Sequence, residues 1–351
     1  MTAELRDTPR RRVTGLVLLA AAVVALTLAS LAIGSVAIPL GDVVAILSGE
    51  PSAKASWTTI VLEFRLPKAL TAALAGAALA VGGLLMQTLF RNPLAGPYVL
   101  GISAGASLGV ALVVLTIGGV TTELLAGIGL IGEFGLITAA SLGAGAVLGL
   151  VVIAARRVSS LTLLILGVLF GYATSALVTV LMHFSLAERI QAYIIWTFGS
   201  FGGVTWSQLR VLAPALLAGL ALAALASKPL NALLLGERYA RSMGVAVGRA
   251  RLGVLVSTAL LAGGVTAFCG PVGFIGVAVP HLVRAVLQCA DHRILIPGTA
   301  LAGALVALAS DLIAQLPGSD AVLPLNAVTA LVGAPVIAGI ILRRRALASW
   351  G

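Results

Sequence analysis

The side chains able to do chemistry are few: twelve Asp and Glu, three His and two Cys among 351 residues. Cys269 and Cys289 show no metal-type spacing and lie in or beside apolar runs, so they read as buried inert thiols. An ATP-hydrolysing chain would carry the G-x-x-x-x-G-K-[ST] phosphate loop, and none is present. An ion-coupled carrier places Asp, Glu or His near the bilayer midplane, whereas the acidic residues here fall in predicted loops or near the ends of apolar runs. His183 and His281 read as single histidines packed between helices. No nucleophile, base or metal-ligand set clusters along the chain, so a membrane-embedded enzyme has no support. Two short patterns are richer, RNPLAGP from Arg91 to Pro97 and CGPVGFIGVAVPHLVR from Cys269 to Arg284. In the second, Gly270, Pro271, Gly273 and Gly276 followed by Pro280 predict a sharp re-entry or a broken helix near the outer surface.

The elements that must position these groups are set by composition. Sixty per cent of the residues are hydrophobic and 10% charged, and the mean hydropathy is +1.13. Cut at its ionisable residues, the chain yields apolar stretches long enough to cross about 30 Å of hydrocarbon as helices. Aromatic content of 5% and long Leu/Ala/Val/Gly tracts favour helices over a barrel of alternating strands. The expected fold is all-α, with about ten membrane spans at 13–36, 66–89, 98–118, 134–155, 161–184, 207–226, 250–269, 272–288, 294–314 and 324–342. The first run is long enough to span, so it reads as a retained helix rather than a cleaved signal peptide. Ala72, Gly76 and Ala80 recur at four-residue spacing, the pattern of close helix packing.

The net charge of +10 belongs to topology rather than to nucleic acid, because the basic clusters Arg10 to Arg12, Arg156-Arg157 and Arg343 to Arg345 punctuate apolar runs. With a cytoplasmic N-terminus, the inner segments and span ends hold 17 of the 22 Lys and Arg, which orients the chain with both ends inside. Two loops are long: an outer one over 37–64 and an inner one over 227–249. The inner loop mixes Leu233, Leu234, Leu235, Ala240 and Met243 with charges, the pattern of one or two short amphipathic helices. Such helices serve as a docking surface or lie passively among lipid headgroups.

These features together resemble the FecCD-type permeases, the membrane subunits of ABC importers for iron-siderophores, haem and cobalamin. The resemblance runs over nearly the whole chain. It is carried by FRLPKALTAALAGAALAVGGLLMQTLFRNPLAGPYVLGISAGASLG (Phe64 to Gly109), LGERYARSMG (Leu235 to Gly244), GPVGFIGVAVPHLVR (Gly270 to Arg284), DHRILIPGTALAGA (Asp291 to Ala304) and LPLNAVTALVGAPVIAGIIL (Leu323 to Leu342). It implies a single transmembrane permease domain over 1–351 with the type II importer fold. It also implies a cytoplasmic tail at 1–12 and a bacterial cytoplasmic-membrane location.

The resemblance assigns roles to particular residues. Leu235, Gly236, Glu237, Ala240 and Gly244 match the loop that couples to an ATPase, with Arg238 and Arg241 as further charged contacts. On the outer face, Arg65-Leu66-Pro67-Lys68 matches a motif whose basic residues meet acidic ones on a substrate-binding protein. Gln315 stands where the cobalamin member carries a further arginine, which counts against one docking contact and against cobalamin; ferric siderophore, the commonest cargo of the family, is the expected substrate, with haem or cobalamin as the alternatives. Asn92 and Leu94 match a cytoplasmic gate, and Ser159 and Ser160 a second constriction. The implied partners are two ABC ATPases, on which ATP and Mg act, a second permease subunit, identical or paralogous, an extracytoplasmic binding protein and membrane lipid. No cofactor, metal or catalytic residue is expected in this chain, and an ion-coupled secondary carrier is the rival from another class.

Overall fold

The computed structural model describes residues 9–116, 135–155, 157–315 and 322–348. The expectations for residues 1–8, the ends of the third and fourth spans across 117–134, Arg156 and Asp320 lie outside the described residues. So do the side chains of Arg10, Arg11, Ser160 and Arg343 to Arg345. In chain order the helices are α1 (Pro9–Ala32), α2 (Leu40–Leu47), α3 (Ala55–Leu89), α4 (Ile102–Thr116), α5 (Gly135–Ala155), α6 (Ser160–His183) and α7 (Ala187–Thr197). After them come α8 (Trp206–Leu225), α9 (Ser227–Leu234), α10 (Glu237–Ser242), α11 (Val247–Cys269), α12 (Ile275–Leu287), α13 (His292–Ala314) and α14 (Leu325–Ala348). No strand occurs among the described residues.

Helices α1, α3, α5, α6, α8, α11 and α13 are long and apolar enough to cross a membrane, while α4, α12 and the first part of α14 are shorter apolar helices. They stand at the ten positions where apolar runs predict spans. Two boundaries differ for identifiable reasons. The second span begins at Ala55 rather than 66, because Ile60–Arg65 forms a π-helical turn that carries the helix past Pro67. In that wider turn the Leu66 N–H bonds to the Val61 carbonyl, which relieves the crowding that a proline ring imposes on an α-helix. The third span starts at Ile102 rather than 98, since Pro93, Gly96 and Pro97 hold residues 90–101 in turns and Gly101 has φ +76°. Helix α7 falls where no element is expected.

Helix α3 is the axis of the molecule: 83% of its most apolar stretch is buried, against 17% for α1 and 22% for α6. At two of its crossings with α12 and α13 the helices approach backbone to backbone. A Cβ on Gly76 would stand 2.2 Å from the Gly303 carbonyl of α13, and one on Gly83 would stand 1.7 Å from the Gly276 carbonyl of α12. Ala72 and Ala80 are fully buried beside Gly76, so the small-residue spacing does mark a helix crossing. The predicted break at 270–276 is also present. Helix α11 stops at Cys269, Gly270 takes φ +73°, Phe274 takes φ +66°, and α12 begins at Ile275.

Candidate functional site

The loop at 227–249 folds as two short helices joined by Gly236, whose φ of +106° is open to glycine and strained for other residues. Gly244 closes the second helix with φ +81°. Leu230 is buried in the main core, while Leu233 and Ala240 are buried with Ala232, Val245 and Val247 in a small cluster at the start of α11. On the outward side, Leu235, Tyr239 and Met243 are 61%, 53% and 58% exposed and recur every four residues. Arg238 is exposed beside them, and Glu237 pairs with Arg241 at 3.6 Å. An apolar stripe of this kind, rimmed by charge and anchored from below, has the form of a protein-binding surface.

The turn after α3 lies next to this loop. Arg91 adopts φ +49°, and its guanidinium lies 3.4 Å from where a Cβ on Gly236 would stand. Asn92 Oδ1 accepts the Leu94 N–H at 2.9 Å, which shapes the turn, and Leu94 projects outward. From α12, His281 Nε2 contacts the Pro93 carbonyl at 2.7 Å and Arg284 donates to Gln87 Oε1 at 2.6 Å. Ser159 caps α6, its hydroxyl accepting the Thr162 N–H at 3.2 Å. One cleft of about 760 Å³ is lined by Phe90, Arg91, Leu161, Leu235, Gly236 and Tyr239. A second, of about 700 Å³, is lined by Arg157, Ser159, Glu237, Arg241, Arg249 and Arg251. The turn, the start of α6 and the loop helices therefore share one end of the molecule.

At the other end, the structure gives both basic residues expected to meet a binding protein partners within the chain. Arg65 Nη1 donates to the carbonyls of Leu31 at 2.8 Å and Ala32 at 3.1 Å, and Nη2 donates to that of Val36. Lys68 Nζ lies 3.2 Å from Asp311 Oδ1, whose other oxygen accepts from Gln315 Nε2 at 2.8 Å. Gln315 therefore has a local task, completing the Lys68–Asp311 pair. Asn326 fastens the break between α11 and α12. Its Oδ1 accepts the Gly273 N–H at 2.9 Å, and its Nδ2 donates to the carbonyls of Pro271 at 2.6 Å and Thr197 at 2.9 Å. Its isolated amide in an apolar run is the signal that marks it in LPLNAVT.

No spacing rule points to His292, yet it is fully buried between three helices. Its backbone N–H and its Nδ1 both meet Asn231 Oδ1 of α9, at 2.9 and 2.7 Å, and its Nε2 meets the Thr88 hydroxyl of α3 at 2.9 Å. Beside it, Asp291 caps α13, and the Arg293 N–H and the Asn231 amide hold its carboxyl below the usual carboxylate range. Among the described residues, no group of three or more His, Cys, Asp and Glu is placed to hold a metal.

Comparison with known proteins gives this geometry a context. A family model described as the FecCD transport family matches residues 22–343. The vitamin B12 import system permease protein BtuC of Klebsiella pneumoniae subsp. pneumoniae is 39% identical over 292 residues, covering 81% of this chain and 83% of that protein. BtuC of Salmonella typhimurium is 37% identical over 345 residues, covering 96% and 98%. A solved metal-chelate type ABC transporter in an inward-facing conformation matches with a TM-score of 0.81 and 30% identity, covering 93% of this chain and 98% of that one.

Proposed function

Since the chain belongs to the FecCD transport family and is the permease of an ABC importer, we propose that its cargo is cobalamin. The observation that carries this reading is the 37% identity to a vitamin B12 permease over 96% of the chain. Family membership sets aside the ion-coupled carrier. The identity to vitamin B12 permeases also reverses the preference for ferric siderophore, which rested mainly on its being the commonest cargo of the family and secondarily on Gln315. That residue is occupied with Asp311 inside the chain, so its identity carries little information about cargo. A ferric chelate stays as the second reading, because the solved relative is of metal-chelate type.

In this account two ATPase subunits seat on α9 and α10, touching Leu235, Tyr239 and Met243, with Arg238 and the Glu237–Arg241 pair at the rim. ATP and Mg act on those subunits, and this chain holds no cofactor. That face is cytoplasmic, as are both termini, because the excess of Lys and Arg lies there. A second permease subunit covers the exposed side of α6, where Leu161, Ile165, Leu169 and Tyr172 lie at helical spacing. Between the copies runs the path, one wall of which carries a cavity of about 420 Å³ lined with the hydroxyls of Ser103, Ser107, Thr174 and Ser175. Uncharged hydroxyls suit a large ligand with many amide groups. The binding protein delivers from the opposite face, and rocking of the two subunits alternately opens the path. Asn92 and Leu94 form the inner gate, with Ser159 and Ser160 at a second constriction.

Vesicles containing the permease, its ATPase and its binding protein test the cargo. Uptake of labelled cyanocobalamin, undiminished by excess ferric siderophore, is the expected result. Uptake of the ferric chelate alone would replace the cobalamin reading with the second one.

A further inference from the structure

We propose that Asn231, His292 and Thr88 form a positioning relay through which movement of α9 is delivered to the turn after α3. The inference rests on reading α9 and α10 as the ATPase seat and the turn as a gate.

Asn231 stands on α9, one helical turn before Leu235 of the exposed stripe. Its Oδ1 accepts two hydrogens from His292, and its Nδ2 donates to Asp291 at 2.6 Å, so the orientation of the amide is fixed by three bonds. With Nδ1 donating, His292 offers Nε2 as an acceptor, and the Thr88 hydroxyl lies 2.9 Å from it. Thr88 is buried and forms part of the last turn of α3, where its carbonyl accepts the Arg91 N–H at 3.3 Å. Two side chains thus join the loop to the residue from which the turn starts. The hydroxyl has a second acceptor in the Leu84 carbonyl, also at 2.9 Å, so the contact with His292 can open without stranding a buried donor.

The surrounding packing makes a rigid lever of the helices at each end of this link. Backbone contact at Gly76 and Gly303 keeps α13 from sliding on α3, while His281 holds the turn, and Arg284 the end of α3 at Gln87, to α12. A displacement of α9 is passed to the first residue of α13 and to the last turn of α3 together. A tie that merely stabilises the end of α13 would share these bonds, so the test must read motion separately from stability.

The complete complex with its ATPase, reconstituted in vesicles, carries Leu94→Cys as a reporter of the turn. The same complex without that substitution supplies the background from Cys269, which is buried, and Cys289, which is half-buried. Thiol labelling is compared with and without ATP and vanadate, alongside ATP hydrolysis and thermal unfolding. The expected result is a nucleotide-dependent change at position 94 in the parent and in Thr88→Ser. In Thr88→Val and Asn231→Leu that change shrinks about fivefold or more while hydrolysis continues. An undiminished change in both variants overturns the relay. Parallel losses of labelling change, hydrolysis and melting temperature assign these residues to stability and overturn it as well. No nucleotide-dependent change in the parent removes the gate reading, and the relay with it.

Discussion

Lys68 and Asp311 illustrate how a residue's partner decides its role. Asp311 is buried at the end of α13, and Lys68 Nζ lies 3.2 Å away. Lys68→Met leaves that carboxylate without its counter-charge, which should cost about 2–4 kcal/mol and lower the unfolding temperature in detergent. The double variant with Asp311→Leu should recover most of the loss. If the two losses simply add, the pair does not stabilise the protein. Asn326→Ala removes the acceptor of the Gly273 N–H and two donors, and it should cost about 2–3 kcal/mol in the same measurement. Asp291→Ala should cost about 1 kcal/mol at neutral pH through loss of the α13 cap. Because the folded carboxyl is held below its usual value, its contribution is present above the unfolded value near pH 4 and lost as pH falls through the folded one. The gap between parent and variant should therefore close in acid.

At the scale of elements, close helix crossings rest on a few glycines. Gly83→Ala would drive a Cβ to 1.7 Å from the Gly276 carbonyl, where backbone cannot give way cheaply. We expect a loss of about 3 kcal/mol or more and poor recovery of folded protein. Gly145→Ala, in the same class of helix but with nothing within 4 Å, should leave the unfolding temperature unchanged or raise it slightly. Equal effects of the two would contradict the crossing. Element positions were legible in the sequence wherever hydrocarbon demands long apolar runs, and the Gly270 to Pro280 pattern marked its break correctly. The expected start of the second span at 66 fell inside a helix that begins at Ala55, since a π-helical turn at Ile60–Arg65 carries it past Pro67. Helix α7 escaped because eleven mixed residues neither span nor alternate.

For the whole molecule, class was legible and cargo was not. Composition and charge asymmetry lead to a multi-pass membrane protein, and the missing phosphate loop and the absence of midplane carboxylates to the expectation that its energy comes from a partner. The loop's division into a buried side at Leu233 and Ala240 and an exposed side at Leu235, Tyr239 and Met243 required the structure. So did the partners of Arg65, Lys68 and His292, because contacts between residues far apart in sequence leave no local pattern. Leu235→Asp with Tyr239→Asp should abolish co-purification of the ATPase while leaving the permease folded. The most direct measurement of the central claim is uptake into vesicles with ATP supplied on the α9–α10 side and ion gradients collapsed by ionophores. Uptake that requires ATP and survives the ionophores is the predicted result. Uptake that proceeds without ATP and vanishes with the ion gradient would contradict the account.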